Sequence, residues 1–243
     1  MAGDAPTIAS GKPTRLQRVH VLSKPWAVAA YALCTIAIAL LAVQAHQASA
    51  LPGDIFIARH LQSIDSSVFD ALMRAVSRMG FFAPSAIILC LFALGCWSTR
   101  KPVETVFILL TATGEGVNEV IKDVVTRPRP SPDAIRVFER LHDYSFPSGH
   151  VIHYVVFYGF LFFLFWTLLP GSWPRTFALF LTAALVLLIG PSRIYVGDHW
   201  PSDVLGAYLL GGLWLAFLIQ AYSRCKALQR ADRLRWTQPQ AEQ

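Results

Sequence analysis

The sequence predicts an all-α polytopic membrane protein: six transmembrane helices in a bundle, with short amphipathic interfacial helices between spans one and two. Three observations predict it. Of the 243 residues, 54% are hydrophobic and only 15% charged, against about 25% charged in an average soluble domain. Six apolar stretches approach the ~20 residues that a helix needs to cross a hydrocarbon core of ~30 Å. Pro, Gly and charged residues, which punctuate helices, separate them. This composition excludes a disordered chain and argues against an ordinary soluble enzyme.

In order, the expected spans are Trp26–Val43, Phe81–Trp97, Val103–Val120, Val151–Leu169, Trp173–Ile189 and Val204–Tyr222. Residues 25–222 form one six-span domain between a basic tail, 1–24, and a second basic tail, 223–243. A run with a basic start and Ala48-Ser49-Ala50 also fits a cleaved signal peptide, but it is long for one and five spans follow, so an uncleaved first span is expected. Segment Gly53–Met79 is too polar to cross. Ile57, Leu61, Ile64, Val68 and Leu72 recur there at helical spacing, and Asp65-Ser66-Ser67 supplies capping residues for a break into two short helices at the outer interface. Packing is their plain role, and a lid over a lipid-binding mouth the functional alternative. Cys34, Cys90, Cys96 and Cys225 contain no CxxC pair, so neither a disulfide framework nor a zinc site is expected.

Orientation follows from the basic residues in short connections. Lys12, Arg15, Arg18 and Lys24, then Arg100 and Lys101, then Arg175, then Arg224, Lys226, Arg230, Arg233 and Arg235 all fall on one side, so both termini are expected in the cytoplasm. The net charge of +6 lies between and beyond the apolar runs, where it meets membrane surface or an anionic substrate; nucleic acid is not an expected partner. The connection between spans three and four breaks the rule, because Lys122, Arg127, Arg129, Arg136 and Arg140 lie on the opposite side. Bound phosphate would supply a local reason.

Ionisable groups in or at the ends of spans are costly and call for a function. Three clusters stand out. Glu115, Asn118, Glu119 and Lys122 share one helical face at i, i+3, i+4 and i+7. Such a stripe can tie helices together, contact substrate, or tether Lys122, the reading favoured here. It leads into Arg127-Pro128-Arg129-Pro130, whose prolines hold the chain extended and present guanidinium groups to an oxyanion. The second cluster, Pro147-Ser148-Gly149-His150, combines an N-cap, close backbone approach and free N–H groups at a helix start: an anion cradle with an imidazole in it, or an ordinary capped helix. His153 reads as a packing or interface residue. The third runs Ser192-Arg193, His199, Asp203; the aspartate can orient the histidine for attack, or the two can share a plain loop hydrogen bond.

Lys122 six residues before Arg129-Pro130, then Pro147-Ser148-Gly149-His150, then Ser192-Arg193 five residues before His199 and three more before Asp203 resembles the three-part signature of the type-2 phosphatidic acid phosphatase superfamily. The motifs occupy residues 122–203, and the six-span layout extends the resemblance over 25–222. The resemblance implies a lipid phosphatase that needs no metal or other cofactor. His199 would be the nucleophile, Asp203 its orienting carboxylate and His150 the acid and then the base; Lys122, Arg129, Arg193, Ser148 and Gly149 would bind the phosphate. It further implies a site at the outer leaflet of a membrane, most simply a bacterial inner membrane, entered from lipid. Two rivals use the same residues: a metallohydrolase with His150, His199 and Asp203 as ligands, and a non-catalytic phospholipid-binding or transport protein. Undecaprenyl diphosphate, phosphatidylglycerophosphate, phosphatidic acid and lipid A phosphate all place phosphate at the required depth; a prenyl diphosphate or a glycerophospholipid phosphate is favoured, and the sequence does not rank those two.

Overall fold

Apolar runs set the helices, and the polar residues between them set the corners. The computed structural model describes residues 25–139 and 141–237, the last six without side chains. The tail carrying Lys12, Arg15, Arg18 and Lys24, the residue Arg140, and residues 238–243 lie outside the described residues, as do the side chains of Arg233 and Arg235. All regular structure among the described residues is helical: α1 (Pro25–Gln47), α2 (Asp54–Gln62), α3 (Ser67–Met79), α4 (Phe82–Ser98), α5 (Pro102–Leu110), α6 (Thr113–Val125), α7 (Gly149–His153), a π-helical turn (Tyr154–Tyr158), α8 (Gly159–Leu168), α9 (Trp173–Tyr195) and α10 (Pro201–Thr237).

Four stretches are long and apolar enough to cross a membrane: α1, the continuous run Gly149–Leu168, α9, and α10 as far as Ala231. The pair α3 and α4, bent by 67°, makes a fifth if it counts as one span. The stretch expected as the third span, Val103–Val120, is instead two helices of 9 and 13 residues, α5 and α6. Its break has a local cause. The Thr111 and Thr113 hydroxyls donate back to the Ile108 and Leu110 carbonyls at 2.6 Å each, and the Thr111 and Ala112 N–H groups bond three residues back rather than four.

Two helices, α2 and α3, do occupy the connection between α1 and α4. Ser66 caps α3 by accepting from the Phe69 N–H at 3.3 Å, and Met73, Val76 and Ser77 bury one face of it against α9. The last span was expected to end at Tyr222, whereas α10 runs unbroken to Thr237.

The run Gly149–Leu168 is the axis of the bundle. Val151, Ile152, Tyr154, Val156, Phe157, Phe160 and Leu161 on it are at most 1% exposed. Lipid is as apolar as these side chains, so tight packing rather than water exclusion holds the helices together. Small residues permit the close approach: a Cβ on Gly211 of α10 would stand 3.0 Å from Val155, and one on Gly114 of α6 would stand 3.4 Å from Ile152 and Val156. Outward, α1 exposes Leu33, Ile36, Leu40 and Val43, and α4 exposes Ile87, Leu91 and Leu94, the surface a hydrocarbon phase would cover.

Candidate active site

The end of the bundle where α3 meets α4, α6 stops and α7 begins holds a cavity of about 250 Å³. Lys122, Arg129, Gly149, His150 and His199 line it, together with Glu115, Asn118 and Glu119. Ser148, Arg193 and Asp203, also singled out in the sequence, are fully buried behind that lining.

Helix α6 presents its polar stripe to the cavity. Lys122, almost buried, pairs with Glu119 at 3.2 Å, and Asn118 Nδ2 donates to the same carboxylate at 3.1 Å. Glu115 goes elsewhere, to His153 Nδ1 at 2.7 Å, so the histidine set aside for packing is part of the cavity wall. The Asn118 amide also packs on Gly149, where an added Cβ would come within 3.0 Å.

Past α6 the chain is extended, and side chains two apart point the same way only if the backbone alternates regularly. Here Arg127 and Arg129 diverge. Arg127 is wholly buried, pairing with Asp54 at 2.8 Å and with Asp203, and donating to the Ser202 hydroxyl at 2.8 Å. Arg129 turns to the cavity, where Nη1 donates to the Asp198 carbonyl at 2.7 Å and stands 3.2 Å from His199 Nε2. Asp143 bridges Arg129 and Lys122 at 2.7 and 2.6 Å. Burial alone would raise the pKa of this carboxyl, but the Lys122 hydrogen bond and the Arg129 charge bring it down to about 2.

His199 sits on the turn between α9 and α10. Gly197 makes the turn at φ 78°, and a Cβ there would collide with the Arg136 carbonyl. The His199 Nδ1 atom lies 2.8 Å from the Ser145 carbonyl oxygen, which only accepts, so the proton sits on Nδ1 and the Nε2 lone pair faces the cavity. Burial, then the charges of Arg129, Arg193 and Lys122, hold the ring well below its ordinary pKa and keep it neutral. Asp203 Oδ2 is 3.7 Å from Nδ1, beyond a hydrogen bond. Its oxygens are taken by Arg127, by the Ser145 hydroxyl at 2.5 Å and by the Trp200 N–H at 2.9 Å.

Behind the ring, Arg193 donates to the Ser77 hydroxyl and lies 2.5 Å from Asp198. Burial pushes the Asp198 carboxyl up, and the Arg193 and Arg129 charges pull it back. Ser148 occupies the N-cap of α7, but its hydroxyl makes no cap bond and has no partner. His150 meets Phe81 edge-on at 5.1 Å, and its Nε2 is buried without a partner. Among the described residues no group of three or more His, Cys, Asp or Glu is arranged to hold a metal ion.

Sequence reasoning offered bound phosphate as the local reason for the basic connection after α6. The structure shows carboxylates there as well: Asp54 and Asp203 on Arg127, Asp143 on Lys122 and Arg129, and Asp198 on Arg193. Asp203 was singled out, but for His199 and not for Arg127; Asp54, Asp143, Asp198 and Ser145 were not, and Asp54, Asp143 and Ser145 each meet the cation or ring from a separate part of the chain. The excess charge itself was the available signal, since buried cations demand counter-ions.

The family model described as the PAP2 superfamily matches residues 104–227, just over half of the chain. The chain is 27% identical over 185 residues to phosphatidylglycerophosphatase B of Bacillus subtilis (strain 168), covering 75% of this chain and 89% of that one. It is 32% identical over 170 residues to undecaprenyl-diphosphatase BcrC of the same organism, covering 68% and 82%. Among solved structures, a transmembrane PAP2 type phosphatidylglycerolphosphate phosphatase from Bacillus subtilis shares the fold with a TM-score of 0.68 at 24% identity, over 80% of this chain and 96% of that one. With its apolar helices and a family match that encloses Lys122, Arg129, His150, His199 and Asp203, the chain belongs to the PAP2 superfamily of membrane phosphatases.

Proposed function

We propose that the protein is a lipid phosphatase that removes the terminal phosphate of a lipid phosphate or diphosphate through a phosphohistidine at His199, without a metal ion. One observation carries this reading. The unprotonated Nε2 of a buried neutral imidazole faces Arg129 across 3.2 Å in a cavity that Lys122 also lines. A nucleophile beside two phosphate-binding cations is what a phosphoryl transfer needs.

In the proposed reaction, Lys122 and Arg129 hold the phosphoryl oxygens and Nε2 attacks phosphorus. The N–P bond forms as the P–O bond to the lipid breaks, and His150 takes the proton that a monoanionic phosphate brings into the site and passes it to the leaving oxygen. His150 then takes a proton from a water that attacks phosphorus, the N–P bond breaks, and inorganic phosphate leaves. Arg193 and Asp198 brace Arg129 from behind through the Asp198 carbonyl. Six crossings, with α4 as the second and α5 and α6 together as the third, would put this cavity at the extracytoplasmic face of a bacterial inner membrane. That side agrees with the basic residues at the other ends of the helices. The substrates that the relatives' names give, phosphatidylglycerophosphate and undecaprenyl diphosphate, both carry the terminal phosphate that this reading requires.

The test is phosphate release from those lipids, phosphatidic acid and a lipid A phosphate by the detergent-purified protein, with chelator, beside His199→Ala. Chelator-resistant turnover that is lost in the variant is expected, with an acid-labile phosphoenzyme in the intact protein. Folded protein that binds the lipids and turns none over would overturn the reading in favour of a binding or transport role.

A further inference from the structure

Asp143 already occupies the two cations on which the proposed reaction depends. Its Oδ2 accepts from Lys122 Nζ at 2.6 Å, and its Oδ1 accepts from Arg129 Nη2 at 2.7 Å and from Nε at 3.1 Å. One carboxylate oxygen on each cation is the bridge that two oxygens of a phosphate would make. The rest of Arg129 is engaged too. Nε reaches the Asp143 carbonyl at 3.0 Å, and Nη1 reaches the Asp198 carbonyl at 2.7 Å. Every guanidinium nitrogen therefore has a protein acceptor, and although one N–H on Nη2 and one on Lys122 Nζ are left over, a phosphate that is to bridge the two cations at the charged positions must displace the Asp143 carboxylate.

The acceptors differ in how easily they leave. The two carbonyls belong to the backbone. The Asp143 side chain is 48% exposed, whereas those of Lys122 and Arg129 are 8% and 11% exposed, so this carboxylate can swing into water while the cations stay; Glu119, also exposed, touches Lys122 but not Arg129 and does not bridge them. What displaces it must offer more than the single negative charge it takes away. A phosphate monoester, or the end of a diphosphate, carries between one and two charges near neutral pH and three equivalent acceptors. A phosphodiester carries one charge and two such oxygens.

We propose that Asp143 is a specificity-determining residue of this site: its carboxylate holds the phosphate position in the resting protein and yields it to a terminal phosphate but not to a phosphodiester headgroup. The inference rests on the lipid phosphatase reading. It gives that reading a selection step that membrane surroundings make necessary, because a cationic cavity opening near headgroups meets diesters far more often than monoesters. The same step clears the product, since the carboxylate returns to the cations as inorganic phosphate leaves. The depressed pKa of Asp143 agrees with this, keeping the gate charged over the working range.

The test uses the full chain in mixed micelles, with Asp143→Asn and Asp143→Ala beside the wild type, each checked for melting temperature and monodispersity. Inhibition of lipid phosphate turnover is titrated with inorganic phosphate and with phosphatidylglycerol as the diester. In both variants the phosphate inhibition constant is expected to fall about tenfold, as for loss of a competing charged hydrogen bond. The diester is expected to become a competitive inhibitor of the variants and not of the wild type. Weaker phosphate inhibition with a raised KM would overturn the proposal and make Asp143 a residue that positions the cations. Unchanged inhibition overturns it as well. A wild type with no turnover sinks the lipid phosphatase reading itself, an outcome separate from an active wild type with indifferent variants.

Discussion

His199 and Ser145 meet across 54 positions of chain, the imidazole Nδ1 donating to the Ser145 carbonyl at 2.8 Å while the Ser145 hydroxyl donates to Asp203 at 2.5 Å. The carboxylate reaches the ring only through this backbone segment, so in the proposed reaction it would orient the ring through Ser145 rather than by touching it. Ser145→Ala keeps the carbonyl and removes the hydroxyl link. It is expected to lower kcat roughly tenfold, with KM little changed, the size of one lost hydrogen bond. Steady-state kinetics check this, and an Ser145→Ala enzyme with wild-type kcat would mean that Asp203 acts on the ring without this link.

Arg127→Met is expected to cost about 3–5 kcal/mol of stability, because Asp54 and Asp203 are both buried and would lose the cation between them. Thermal denaturation in detergent measures it. A variant that melts within about 2 °C of the wild type would show that the hub contributes little.

Stability should fall on the acid side through His199. Burial and the neighbouring cations depress its folded pKa well below 6.5, so below that pH the unfolded chain binds a proton that the folded ring refuses. The contribution is complete above pH 6.5 and declines as pH falls toward the folded value. His199→Gln removes the titration, and its melting temperature should decline less steeply than that of the wild type as pH falls from 6.5. Parallel profiles would mean that the ring titrates normally.

Gly80→Ala tests His150. Gly80 closes α3 at φ −87°, where alanine is unstrained, but a Cβ there collides with the His150 ring. The imidazole must shift, and kcat is expected to drop at least about tenfold through lost acid catalysis, with the melting temperature nearly kept. Full activity would show that the ring position is not critical.

The apolar runs and the side chains of the three motifs were legible because both are local: a helix period or a fixed spacing places them without knowledge of the fold. Glu119 could be placed near Lys122 for the same reason, three residues apart on α6. Asp54, Asp143 and Ser145 were not legible, since each finds its partner through the packing of separate segments. The break between α5 and α6 did leave a trace in Thr111-Ala112-Thr113-Gly114, two back-bonding hydroxyls beside a glycine, which hydropathy averaging hides. The divergence of Arg127 from Arg129 was not legible, because a regularly extended chain would turn both to one side; which arginine faces inward is set by Asp54 and Asp203.

The π-helical turn at Tyr154–Tyr158 separates His150 and His153 from the core-packing run Gly159–Leu168. Such a turn accommodates one residue more than an α-helical turn of the same kind, and one residue corresponds to about 100° of rotation. The helix therefore carries two phases, an upper one aimed at the cavity and a lower one aimed at the bundle. Deleting a single residue within Tyr154–Tyr158 would merge them and swing the histidines off the cavity with the lower packing intact, whereas substitutions within Gly159–Leu168 can retune the bundle without re-aiming the chemistry.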